Sequence, residues 1–365
     1  MIYIAGMSIA VLFEFLLISK KNKSESDKIL ALWMFIMTVH LFLFYMMYTK
    51  EIFNYPFLLG ISFPLPLLQC VFLYLYVGSA TNQLPANKNF LAIHFLPAAS
   101  MYVYLINFFA LPSEQKIFIF NNNGVGYEQF STISVYAIFL SGIVYVIWSS
   151  LLLKKHRKRI LETFSYKEKI DLQWLQILTW GIGGIWLLVF FKYEPVIYAG
   201  VAVFVFLIGF FGIRQVRIFD TEKISLSDSE NNTPEEEAKE KYAKSGLTEE
   251  LSQKLYESLK AIMVNDAVYR KYNLSINDLA GRLKTHPNYL SQVINEREKK
   301  NFYDFVNHYR LEEFKLLLSN PKNRNYKLLS LAFECGFNSK SSFNRYFKKS
   351  TGKTPSEYYS ELIQQ

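Results

Sequence analysis

The first 219 residues contain seven apolar stretches that are each long enough to cross a lipid bilayer. A hydrocarbon core of about 30 Å requires about 20 mostly apolar residues. Because lipid cannot satisfy backbone amides, each stretch must be helical. The sequence therefore predicts an all-α chain that begins with a seven-helix transmembrane bundle. The stretches lie at roughly 2–19, 29–49, 57–80, 90–111, 131–153, 174–191 and 195–213.

Two of these stretches contain prolines. Pro64 and Pro66 interrupt the third stretch, and its helix is expected to begin only after them. Pro97 is expected to kink the fourth, because a proline inside a helix removes one amide donor and clashes with the preceding turn.

Charge divides the chain into three parts. Residues 1–219 carry 17 Lys and Arg against 10 Asp and Glu, residues 220–246 carry 4 against 8, and residues 247–365 carry 19 against 13. The acidic middle part has few aliphatic side chains, which is typical of flexible linkers. We therefore predict a transmembrane region at 1–219, a flexible acidic linker at 220–246 and a further domain at 247–365. Cys70 and Cys335, the two cysteines of the chain, lie in different parts and predict neither a disulfide framework nor a zinc site.

The distribution of basic residues between the predicted loops indicates an orientation. Loops one, three and five carry 12 Lys and Arg, and the even loops carry 3. Positively charged loops remain on the cytoplasmic side. With seven spans, the N-terminus is then outside and the C-terminal part is in the cytoplasm. The expected location is the cytoplasmic membrane of a bacterium, crossed several times.

Residues 274–297 have the pattern of a helix-turn-helix. Ser275 is expected to cap the first helix, residues 285–287 to form the turn, and the apolar residues of the second helix to point inward. Asn and Gln side chains can pair with adenine edges in the major groove of DNA. The polar residues predicted on the outer face of this second helix are Asn288, Ser291, Gln292 and Asn295.

A second helix-turn-helix is predicted after a connecting helix of about 17 residues, or about 25 Å. Residues 328–336 form its supporting helix, and Gly336 and Pro355 are structural turn residues. Its recognition helix covers residues 339–352. Phe343, Tyr346 and Phe347 are available to pack inward from it. The side chains predicted to face DNA are Lys340, Ser341, Asn344, Arg345, Lys348 and Lys349.

The second helix-turn-helix lies in a basic region. Between residues 319 and 353 there are eight Lys and Arg and one Glu, a composition suited to phosphates. Two recognition helices joined by the connecting helix could enter successive major grooves, which are about 34 Å apart.

The C-terminal region carries a set of residues at characteristic spacing, namely Ala332, Gly336, Phe337, Ser342, Phe343, Arg345, Phe347, Lys348, Gly352, Pro355 and Tyr358. This set resembles the C-terminal signature of the AraC/XylS family of bacterial transcription regulators. The resemblance covers about residues 247–360 and implies sequence-specific binding to DNA through both helix-turn-helix units. It implies base contacts for Asn288, Ser291 and Gln292 in the first unit and for Lys340, Ser341, Asn344 and Arg345 in the second. For Arg345, a contact to phosphate alone is the alternative.

The familiar members of that family carry a soluble sensor, whereas this chain has a polytopic membrane region. The expected function is therefore a membrane-integrated, one-component transcription regulator whose membrane region senses a signal. Its expected partners are double-stranded promoter or operator DNA and the lipid bilayer. RNA polymerase, a second copy of the chain and an unknown small-molecule or envelope signal are further candidates.

Two alternatives remain for the membrane region: a transporter or membrane enzyme with an attached regulator, or a passive anchor. The five histidines include no HExxH arrangement. The spans show neither catalytic Ser/His sets nor paired Asp residues. The sequence thus predicts no enzyme activity, no metal and no cofactor.

Overall fold

Regular structure is helical throughout the part of the chain that the computed structural model describes, namely residues 2–87, 89–167, 170, 172–190, 200–201, 203–207, 247–323 and 325–364. No β-strand occurs among these residues, and Phe164 and Ser275 form one isolated antiparallel bridge. The prediction of an all-α chain is confirmed for them.

The described residues divide into two compact units. Unit 1 comprises the described parts of 1–155 and 172–223, and unit 2 comprises those of 156–171 and 224–365. The boundary falls inside one long helix, Glu128–Thr163. The last turns of that helix therefore belong to unit 2, together with residues more than a hundred positions later in the chain.

Short 3-10 helices occur at Glu51–Asn54 and Pro56–Leu58 of unit 1, and residues 200–201 and 203–207 are helical. Nine further helices of unit 1 have both ends within the described residues. They are α1 Ile2–Ser19, α2 Glu25–Tyr48, α3 Leu65–Ala80, α4 Asn89–Ile93, α5 Leu96–Tyr104, α6 Ile106–Phe109, α7 Ser113–Asn121, α8 Glu128–Thr163 and α9 Gln173–Phe190. Ser24 caps α2 in a capping box with Asp27. Trp33 and Leu73 lie in the apolar core. The Trp33 indole donates a hydrogen bond of 2.7 Å to the Gln69 side chain.

Prolines break the third and fourth predicted spans. Helix α3 begins at Leu65 with Pro66 in its first turn. The stretch at 90–111 is not one kinked helix, as predicted, but three short ones. Its first break falls just before Pro97, because a proline fits well in the first turn of a helix, where its missing amide has no partner to lose.

Two described helices, Glu25–Tyr48 and Glu128–Thr163, are long and apolar enough to cross a membrane. The apolar helical stretches Ile4–Ser19 and Leu65–Ala80 are shorter. The prediction of seven spans is therefore not supported by the described residues, which contain two candidate spans. Most of the seventh predicted span and the whole predicted linker lie outside them.

Unit 2 contains the end of α8 and seven further helices among its described residues. These are α10 Glu249–Asn265, α11 Ile276–Arg282, α12 Pro287–Glu298, α13 Phe302–Ser319, α14 Leu328–Glu334, α15 Lys340–Thr351 and α16 Pro355–Gln364. Helix α13 contributes to two apolar cores. Phe305 and Val306 pack with α10, α11 and α12, whereas Phe314 and Leu318 pack with α14 and α15. One helix of 18 residues therefore contributes to a separate apolar core with each of its halves.

Candidate DNA-binding surface

Helices α11 and α12 form the first helix-turn-helix. Ser275 caps α11 as predicted, since its hydroxyl accepts from the Asp278 amide at 3.2 Å and the Asp278 carboxylate accepts from the Ser275 amide at 2.9 Å. Lys284 has a positive φ of 51° in the turn. His286 then caps α12, with its Nδ1 accepting from the Asn288 amide. Local polar contacts thus define both ends of the turn.

The outer face of α12 is only partly open to solvent. Asn288 is exposed, and Ser291 and Asn295 are half-buried, with the Asn295 amide 3.4 Å from the Ser291 hydroxyl. Gln292 was predicted on this outer face but is buried, since the residue is 6% exposed and its side chain donates to Glu296. Its contact with a base stays a prediction. Helical periodicity places a residue on a face but does not tell what covers that face.

Helices α14 and α15 form the second helix-turn-helix, and Gly336 supplies its turn. Gly336 has a φ of 97°, and a Cβ atom there would lie 2.5 Å from the Tyr269 carbonyl oxygen and 2.7 Å from that of Arg270. Glycine is therefore required both by the backbone conformation and by the close approach of another backbone. Pro355 is buried at the first position of α16.

Helix α15 is strongly two-sided. Ser339 caps it by accepting from the Ser342 amide at 3.1 Å. Phe343, Tyr346 and Phe347 are buried, as predicted. The opposite face presents the exposed side chains of Lys340, Ser341, Asn344, Arg345, Lys348 and Lys349.

One lysine of this face has a partner within the fold. Lys349 Nζ lies 3.2 Å from an Asp304 carboxylate oxygen, which ties α15 to the start of α13. For Arg345 no ion pair with a carboxylate is found within the described residues. A helix that carries exposed cations and an Asn on one face can contact phosphates and base edges in the major groove.

Arg310 joins several elements of unit 2, a role that was not predicted from the sequence. Arg310 is 1% exposed, and its guanidinium donates to the carbonyl oxygens of Tyr269 at 2.7 Å and Lys271 at 2.8 Å. It also donates to Asn307 Oδ1 at 3.1 Å and to Ser165. The short helical turn Val268–Arg270 and the residue that follows it are thereby fixed to α13. A lone Arg within an amphipathic helix gave no sequence signal for this role.

A hydrogen bond between α10 and the end of α12 shifts the acidity of a carboxylate. The Tyr256 hydroxyl donates to the Glu298 carboxylate at 2.6 Å. This bond lowers the pKa of Glu298 below its ordinary value, with Lys300 assisting, and outweighs the opposite effect of partial burial. The charged carboxylate thus helps to attach the recognition helix to α10.

Residues 279–361 match the profile of a family described as a helix-turn-helix domain. The match begins within α11 and ends within α16, so it includes both recognition helices. The C-terminal part of the chain therefore carries a helix-turn-helix domain of the AraC type.

Two curated proteins are similar to this part of the chain. An uncharacterized HTH-type transcriptional regulator of Escherichia coli, YijO, is 34% identical over 109 residues, which are 29% of this chain and 36% of that protein. The Msm operon regulatory protein of Streptococcus mutans is 25% identical over 101 residues, which are 27% of this chain and 35% of that protein. The chain thus spans about a third of the length of both relatives. No solved structure matches the chain.

Both relatives are named as regulators, and both similarities concern about 100 residues of the chain.

Proposed function

We propose that this protein is a membrane-integrated, one-component transcription regulator. Its C-terminal domain would bind a promoter from the cytoplasm through α12 and α15, and its apolar region would hold it in the cytoplasmic membrane and sense a signal there. The observation that carries the proposal is the presence, in one chain, of an AraC-type helix-turn-helix domain and of helices long and apolar enough to cross a bilayer.

The exposed apolar side chains of unit 1 favour the proposed location in a membrane. Large apolar side chains are exposed along its two longest helices, among them Phe35 and Phe42 on α2 and Ile133 and Leu140 on α8. Such side chains are costly in water over a contiguous surface, whereas hydrocarbon solvates them. The basic run that follows the apolar part of α8 fits a cytoplasmic end for that helix.

Binding to DNA is tested with the full chain in lipid nanodiscs. A random library of duplexes of about 40 base pairs, which spans more than two major grooves, is passed over the protein through several rounds. We expect enrichment of one sequence class with two half-sites about one helical turn apart. Failure to enrich any sequence, or binding indifferent to sequence, would contradict the proposal.

Orientation and sensing need separate experiments. Fusions of a cytoplasm-specific and a periplasm-specific reporter to the C-terminus should be active only for the cytoplasmic one. Replacing residues 1–155 and 172–219 by an unrelated membrane anchor should abolish the response of the target promoter to its signal. A retained response would identify the apolar region as a passive anchor.

A further inference from the structure

Residues 156–167, hereafter the docking segment, follow the apolar part of α8 and belong to unit 2. The segment consists of the last turns of α8 and the residues Phe164 to Lys167. The segment was predicted to lie in the basic fifth loop. The helix continues through the basic run instead, and the segment contacts both helix-turn-helix units.

The first contact is with the start of the first helix-turn-helix. The Ser165 amide donates to the Leu274 carbonyl oxygen at 3.0 Å, and Phe164 forms a β-bridge with Ser275, the cap of α11. The Phe164 side chain is 8% exposed. The segment is therefore paired through its backbone and buried through its aromatic side chain.

The second contact is with α13. The Ser165 carbonyl oxygen accepts from Asn307 Nδ2 and from Arg310 Nη1, each at 3.1 Å, and the Ser165 hydroxyl accepts from Arg310 Nη2 at 3.1 Å. A guanidinium has five N–H donors. Two of those on Arg310 are taken by the docking segment, and buried donors that lose their acceptors are costly.

The third contact reaches the second helix-turn-helix. Leu161 packs against the core that contains Phe314 and Phe347. Lys167 Nζ lies 5.0 Å from the centre of the Tyr303 ring, a cation–π geometry. The docking segment thus lies across both halves of the DNA-binding unit.

The end of α8 also lies across a cavity from the face of α12 that was predicted to contact bases. Leu290, Val293 and Ile294 define the core side of α12. At about 100° per residue, Asn295 lies on the opposite, outer face. The end of α8 lies across from this residue. It shares a cavity of about 430 Å³ with the outer face of α12 and the turn that follows, lined by Lys158, Leu161, Glu162, Asn295, Lys299, Lys300 and Asn301.

Because the major groove is narrow, the position of the end of α8 determines whether α12 can enter it. The groove is about 12 Å wide and admits one α-helix, whose diameter with side chains is about 10–12 Å. A groove cannot accept α12 while the end of α8 lies against its outer face. The outer face of α15, by contrast, is exposed.

We propose that the docking segment is an autoinhibitory element that covers the recognition helix of the first helix-turn-helix, and that its release permits α12 to enter DNA. This inference rests on the proposed binding to DNA. It gives α8 a mechanical role, because the covering residues continue directly from an apolar helix. A displacement of α8 would open the cavity beside Asn295 and leave α15 unchanged.

The test compares two forms of the full chain in nanodiscs. Leu161→Asp places a charge against the core on which the docking segment packs and should release the segment. Lys154→Ala is the matched control, since Lys154 is an exposed residue of α8 outside unit 2. Libraries of duplexes of about 40 base pairs are enriched in parallel on the wild type and on Leu161→Asp. The enriched duplex is then used to measure the dissociation constant of every form.

A released fraction of about 1–10% in the wild type would weaken its apparent affinity by about tenfold to a hundredfold. We therefore expect Leu161→Asp to bind tighter by that factor and Lys154→Ala to bind like the wild type. Equal affinities of wild type and Leu161→Asp would overturn the autoinhibition while leaving binding to DNA intact. If no form enriches or binds DNA, the proposed function and the autoinhibition both fall.

A second variant gives a result that does not depend on whether Leu161→Asp folds. Glu162→Cys combined with Lys299→Cys places thiols on both walls of the cavity, and both native cysteines are buried. Bridging them with a short bis-maleimide should abolish binding to the enriched duplex, whereas capping them with N-ethylmaleimide should not. Undiminished binding by the bridged protein would contradict the proposal.

Discussion

Ser165 accepts two hydrogen bonds from Arg310, one through its carbonyl oxygen and one through its hydroxyl, each 3.1 Å long. The two residues are 145 positions apart in the sequence. Their contact lies wholly within unit 2 and shows how the end of α8 is held by the connecting helix α13. A buried guanidinium is satisfied here by backbone and hydroxyl oxygens from several segments.

Arg310→Lys should destabilise unit 2 strongly. A lysine has three donors on a flexible stem and cannot reproduce five donors in a plane. We expect a loss of about 2–5 kcal/mol, measured by pulse proteolysis of the full chain in urea. Arg282→Lys is the control, since Arg282 is exposed on α11 and its replacement should cost less than about 1 kcal/mol. Equal losses would refute the role of Arg310.

Arg345→Ala should weaken binding to the enriched duplex by about 1–3 kcal/mol if Arg345 contacts a base. In that case the loss is specific to the base that it reads. A contact to phosphate would lower the affinity for all sequences alike. Fluorescence anisotropy with single-base variants of the duplex separates these outcomes, with Lys254→Ala on α10 as control. An unchanged affinity would remove Arg345 from the binding surface.

Gly336→Ala should destabilise the second helix-turn-helix by about 1–3 kcal/mol or more. The added Cβ would meet two carbonyl oxygens at less than 3 Å and would require a positive φ. Gly281→Ala is the matched control, because Gly281 lies within α11 and its Cβ would meet nothing within 4 Å. The control should be neutral or stabilising by about 0.5–1 kcal/mol. Pulse proteolysis compares the two, and a stable Gly336→Ala protein would refute the expected clash.

Tyr256→Phe should weaken the dependence of the stability of unit 2 on acidic pH. A carboxylate whose pKa is lowered in the folded state stabilises the fold above its ordinary pKa, and this contribution is lost as the pH falls through the lowered value. Because the Tyr256 hydroxyl lowers the pKa of Glu298, its removal should reduce stability at pH 7 more than at about pH 3. Tyr272→Phe, at an exposed tyrosine, is the control. An identical pH dependence of Tyr256→Phe and wild type would contradict the assignment.

Local sequence signals predicted most of the helix-turn-helix elements. The cap at Ser275, the turn at Gly336 and the inward positions of Phe343 and Phe347 follow from rules that act within one or two helical turns.

The features that the sequence did not reveal depend on distant contacts. Arg310 receives its acceptors from residues about 40 and 145 positions away. Gln292 is covered although its helical position faces outward. The end of α8 was mistaken for a loop because hydropathy falls where the basic run begins, whereas the backbone remains helical to Thr163. Hydropathy also treated residues 90–111 as one span, because it averages over the break before Pro97.

Because Phe164 forms a β-bridge with Ser275, the DNA-binding unit is built from two segments that are far apart in the sequence. Cutting the polypeptide near residue 246 would separate the docking segment from the rest of this unit. The Arg310 guanidinium would then donate to water in place of Ser165. By the proposed inhibition, such a fragment would occupy its promoter constitutively, whatever the stimulus. A recombination event that grafted residues 247–365 onto another sensor would likewise leave the inhibitor behind.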